Sequence, residues 1–141
     1  FPTGDVVLAD LVAFIKDLTF EEAINVIATV AWDGLTADPP PFRAFLSIWL
    51  LDGEPARRST RAQYEHEIET WTSVLDVGFA VLNRQPVPPW TTHTQAVALT
   101  AMIDGYFLRH HVEPDVPGTV PPFVTAAEHL LVTTTRPIAE Q

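Results

Sequence analysis

Residues 93–111, "HTQAVALTAMIDGYFLRHH", carry only one charge between Thr92 and Leu108, the carboxylate of Asp104. A helix over roughly 92–111 with this composition is apolar nearly all round, so it has to be covered from more than one side. Two faces separate. Leu99, Ile103 and Phe107 can serve the chain's own core, while Ala98, Ala101 and Gly105 form a stripe of small residues that lets another backbone approach. Gly105 costs about 1 kcal/mol of helix propensity relative to alanine, a loss that close packing would offset. Together with Phe123, Ala127, Leu130 and Leu131 of the last helix, the stripe is expected to build a four-helix seam between two copies, an isologous homodimer. The competing reading puts the same helices at the centre of a monomer.

Outward from this helix, ten of the thirteen prolines are clustered, at 37–41, 84–89, 113–118 and 120–122, and divide the chain into helical blocks. Thr3 can cap a first helix running to about Leu18, with Asp5 complementing its dipole. Thr19 and Glu22 form a capping box for a second helix, whose Phe20, Ile24, Ile27, Ala31 and Leu35 share one face. The block "PPFRAFLSIWLLDG" has prolines in its first turn and ends at Gly53. From about Ala56 to Gln85 no proline intervenes, giving the longest helix, about 43 Å. Its Tyr64, Ile68, Trp71, Leu75, Gly78 and Leu82 follow one another at 4-3-4-3-4 spacing. A last helix covers about 120–135 and starts at Thr119, its end marked by "TTTRP". No strand-like alternation and no repeat occur, so the expectation is an all-α bundle of about six helices forming a single domain over 1–141.

Composition narrows the function. The chain is 141 residues long, 47% hydrophobic and 18% charged, an apolar composition that points to a partner covering some of its surface. Eighteen acidic against eight basic residues give a net charge of −10, and no basic run is present to neutralise phosphates, so these residues are not expected to bind DNA themselves. No apolar run approaches the roughly 20 residues needed to cross a bilayer, and without cysteine there is no thiolate site or disulfide. The chain reads as soluble and cytoplasmic.

No nucleophile elbow, phosphate loop or dinucleotide fingerprint is present, and the chain is not expected to be an enzyme or to need a cofactor. His110, His111, Glu113 and Asp115 are the nearest approach to a metal set, but histidines in a last turn also complement the helix dipole, and no metal is expected. His66, between Glu65 and Glu67, lies on a solvated face. Asp104 needs a bonded partner in its apolar helix, because an unpaired buried carboxylate is costly or becomes protonated. A backbone or cross-dimer hydrogen bond supplies one, or a cationic ligand does. The four tryptophans, Trp32, Trp49, Trp71 and Trp90, with Phe42, Phe45, Phe79 and Tyr106, supply aromatic walls of the kind that suit flat or apolar ligands. Phe45, Trp49, Trp71, Leu75, Leu99, Met102, Ile103 and Tyr106 are the candidate pocket residues, each of them taken singly more readily read as core.

The opening "FPTGDVVLADLV" resembles the segment that joins the helix-turn-helix of TetR-like (tetracycline-repressor-like) transcription regulators to their regulatory domain. "AVALTAMIDGYFLRHHVEP" is similar to that family's late helix, and between them a Pro-led apolar helix, a short break and a long amphipathic helix follow in the family's order. The resemblance implies a ligand-binding and dimerisation domain whose last two helices form the dimer interface. A small lipophilic or aromatic molecule among the middle helices would control DNA binding by the heads. Residues 1–5 would then be the remnant of a junction to an N-terminal DNA-binding domain absent from this sequence. Gly4 stands where the family carries a lysine that approaches the DNA backbone, and Asp5 stands for its glutamate. The alternative function is a helical homodimerisation module without a small-molecule ligand.

Overall fold

The computed structural model describes residues 5–37, 53–113 and 120–139. Five helices and two short strands lie among them: α1 (Asp5–Ile15), α2 (Phe20–Ala37), α3 (Glu54–Leu82), β1 (Arg84–Pro86), α4 (Thr92–Val112), α5 (Pro122–Thr133) and β2 (Thr135–Pro137). The fold is predominantly helical, as the proline punctuation predicts. The Pro-led block, with Phe42, Phe45 and Trp49, falls outside the described residues, as do Thr3, Gly4, Asp115 and Thr119.

Local chemistry accounts for the helix ends. The Glu22 amide donates to Thr19 Oγ1 at 3.2 Å to open α2. Gly53 takes φ 120°, a backbone conformation open mainly to glycine, immediately before α3. At the other end of α3, Asn83 adopts the left-handed conformation and its amide bonds to the Phe79 carbonyl, so the helix stops at Leu82 rather than near Gln85. Thr91 and Thr94 cap α4 reciprocally, each side chain accepting from the other's backbone amide.

The two strands correct the strand-free expectation. Arg84 pairs with Pro137 and Pro86 with Thr135, antiparallel, in a ladder three residues long. Both segments follow a helix and carry a proline that prevents its continuation. The ladder ties the end of α3 to the end of α5. Val87 donates its amide to Thr134 and Ile138 to Asn83. Arg84 completes the joint, donating to Thr135 Oγ1 at 2.8 Å while its guanidinium lies 4.4 Å from the centre of the Phe20 ring.

Helix α3 packs along α4, α2 along α5, and α1 on α3. The core between them contains Ile24, Trp32, Leu75, Phe79, Leu99, Ile103, Phe107, Phe123 and Leu131. Each large side chain fully buried there contributes about 1.5–3 kcal/mol. Phe123, Ala127 and Leu131 are at most 5% exposed within one chain, which corrects their assignment to a seam between copies. On a short, apolar helix the pattern reveals a buried face without saying whose surface buries it. Leu130, half-buried, stays nearer the surface.

Candidate functional site

Helices α3 and α4 meet along the 4-3-4 seam of α3 and create two unlike environments. At the apolar end, Trp71 and Leu75 of α3 and Leu99 of α4 face Phe20, Ile24 and Ala28 of α2 and Phe123, Ala127 and Leu131 of α5 around a cavity of about 40 Å³. Hydrocarbon and aromatic surface lines it. Such a lining offers water no hydrogen-bond partners.

At the other end, the Tyr64 hydroxyl donates to Asp104 Oδ2 at 3.1 Å. The partner that the described residues give Asp104 is therefore a side chain of the same protomer. Asp104 is only 3% exposed, and among the described residues its Oδ1 has no hydrogen-bond partner. Glu67 lies three residues beyond Tyr64 on α3, its Oε1 accepting from Gln63 Nε2 at 3.3 Å. Burial, then the neighbouring Glu67 charge, push the Asp104 carboxyl up to about 7 against a smaller opposing effect of the Tyr64 hydrogen bond. Burial also raises Glu67, opposed by Gln63 and His66. The Tyr64 hydroxyl is raised by burial and by Asp104, so it stays protonated and acts as a donor.

Of the candidate pocket residues, the structure brings Trp71, Leu75 and Leu99 to the cavity. Ile103 is core, while Met102 and Tyr106 pack against the core without lining the void. The wall supplied by Phe20, Ala23, Ile24 and Ala28 was signalled by the apolar face of α2 but reads equally as ordinary core. Trp32 stacks on Phe123 with ring centres 6.1 Å apart and meets the edge of His110 at 5.5 Å, so that histidine packs against an aromatic ring. Among the described residues no three His, Asp or Glu side chains gather to hold a metal, and no helix is long and apolar enough to cross a membrane.

The outer face of α4 is also apolar. Ala101 and Gly105 are exposed, Ala98 is half-buried, and the same side carries Val97, Leu108 and Val112 at 42%, 44% and 77% exposure. An added Cβ at Gly105 would meet nothing within 4 Å.

No family model, curated protein or solved structure matches the chain.

Proposed function

We propose that the chain is the ligand-sensing and dimerisation domain of a TetR-like transcriptional repressor. A small apolar or aromatic effector binds one arrangement of its helices more tightly, and that difference in affinity controls a helix-turn-helix outside residues 1–141. One observation carries the reading: α4 is apolar on two opposite faces, Leu99, Ile103 and Phe107 inside and Val97, Ala101, Gly105, Leu108 and Val112 outside. On the inner face Leu99 lines the cavity. The outer face, with small residues at its middle, suits the matching helix of a second copy.

Gly105→Leu tests the seam selectively, because the protomer has open space at that position. Sedimentation is expected to show a wild-type homodimer and a variant whose dimer is at least tenfold weaker. A Gly105→Leu variant as dimeric as wild type rules the seam out.

The cavity favours a second reading, a homodimerisation module without a ligand, since about 40 Å³ is far below the roughly 300–1,000 Å³ of sites for drug-sized ligands. Thermal shift against lipophilic and aromatic compounds separates the two. A ligand at 100 times its Kd stabilises the folded state by about 2.7 kcal/mol. No response to any compound leaves the dimer module.

A further inference from the structure

Helix α4 carries a buried carboxyl group and the middle of its exposed apolar face on adjacent residues. Asp104 and Gly105 follow one another in the sequence, so they face directions about 100° apart around the helix axis. Asp104 is buried against α3, where its Oδ2 accepts from the Tyr64 hydroxyl at 3.1 Å, and its Oδ1 meets no donor among the described residues. Gly105 is exposed, with open space around it, on the side that carries Val97, Ala101, Leu108 and Val112. A single turn of helix therefore joins the titratable group inside to the small residues outside.

The inner position suits a neutral Asp104. The ion pairs among the described residues, Arg57 with Glu54 and Arg109 with Glu113, involve exposed side chains and leave its charge without a cation. The described groups that act on it are Tyr64 and Glu67, both on α3, and Glu67 disfavours its ionisation; His66 bears on Glu67, and α5, also packed on α4, supplies none. An ionised carboxylate in that place lacks both water and a donor to Oδ1, so ionisation drives position 104 toward solvent. The outer face moves with it, because the two residues share one turn. Close packing of small residues is sensitive to such a shift: a gap of about 0.5–1 Å forfeits about a quarter to a half of the dispersion attraction between the atoms concerned.

We propose that the protonation state of Asp104 controls the α4 seam between two copies: with the proton bound, α4 is docked on α3 and presents Ala101 and Gly105 to the partner's helix, and with the proton lost, the turn that carries them shifts and the dimer weakens. The assignment rests on the homodimer reading above. Linkage makes the effect reciprocal, so dimer formation holds the proton on Asp104 more tightly. Burial and the Glu67 charge push the carboxyl up to about 7, which sets the change of state near neutral pH.

Sedimentation of the intact chain at pH 6 and pH 8 tests this, at about 1 M salt, where charges are screened beyond about 3 Å and the net charge of −10 contributes little to the difference. The wild-type dimer is expected to be at least fivefold tighter at pH 6 than at pH 8. Asp104→Asn keeps the size of the side chain without its titration and should give one affinity at both pH values. Asp104→Ala carries the same expectation and serves as the second variant if Asp104→Asn fails to fold by circular dichroism. A wild-type dimer equally tight at both pH values, or a variant that keeps the fivefold difference, overturns the proton switch and leaves the seam standing. If no dimer forms at either pH, both are overturned.

Discussion

The two ends of the α3–α4 contact differ in what burial has accomplished. Around Trp71, Leu75 and Leu99, hydrocarbon meets hydrocarbon and the imperfection is a void of about 40 Å³. Around Tyr64, Glu67 and Asp104, the imperfection is electrostatic, a buried carboxylate whose Oδ1 meets no donor among the described residues and whose charge is opposed by that of Glu67. Packing defects cost dispersion and transfer energy at every pH, whereas an electrostatic defect changes with protonation. A chain selected for stability alone would do better with an apolar residue at position 104. The polar end is therefore the better place to look for function.

The largest predicted effect belongs to the apolar end. Phe123 is fully buried, stacks on Trp32 and lines the void, so Phe123→Ala enlarges a cavity that already exists. Urea unfolding is expected to show a loss of about 3–5 kcal/mol, the same at pH 5 and pH 8. A loss below 1 kcal/mol would mean that the apolar end is loosely packed, which erases the contrast.

At the polar end the sign reverses. The Asp104 carboxyl titrates near 7 in the folded chain, above the ordinary carboxylate range, so between about pH 4 and 7 the native state holds a proton that the unfolded state has released. Stability from this group is full below pH 4 and is lost as the pH rises to 7. Asp104→Asn removes the penalty, and its expected gain is nil at pH 4 and on the order of 2 kcal/mol at pH 8. Unfolding curves at the two pH values check this, and a variant less stable than wild type at pH 8 would contradict an unpaired buried charge.

Much of this division was legible in the sequence, and the missing parts have physical reasons. The seam from Tyr64 to Leu82 is visible because 4-3-4 spacing places those residues on one side of a helix whatever it packs against. The late helix is bounded within a residue or two because capping threonines and Pro114 flank it. The three-residue strands are not legible, since alternation needs a longer run to show and each strand gains its partner from the other end of the bundle. The inward turn of Phe123, Ala127 and Leu131 is hidden for a related reason: periodicity identifies a face, not the surface that covers it. For the site, Asp104 stands out as the one charge in an apolar helix, but Tyr64 is 40 residues away and no local rule pairs them.

That pairing supplies the smallest effect and the finest division between the two ends. Tyr64→Phe removes the donor to Asp104 Oδ2 and leaves the carboxylate less satisfied, and it also disturbs whatever else the hydroxyl touches. A cycle with Asp104→Ala isolates the pair, because contributions that do not involve Asp104 cancel between the two backgrounds. The coupling is expected to be about 1 kcal/mol at pH 8, where the phenol faces an ionised acceptor, and smaller at pH 4, where the acceptor is neutral. The same cycle between Tyr64 and Leu99 should give a coupling near zero, since those residues belong to different ends of the contact. If Tyr64 couples to Leu99 as strongly as to Asp104, the two ends respond as one packed unit, and the polar cluster loses its standing as a separate site.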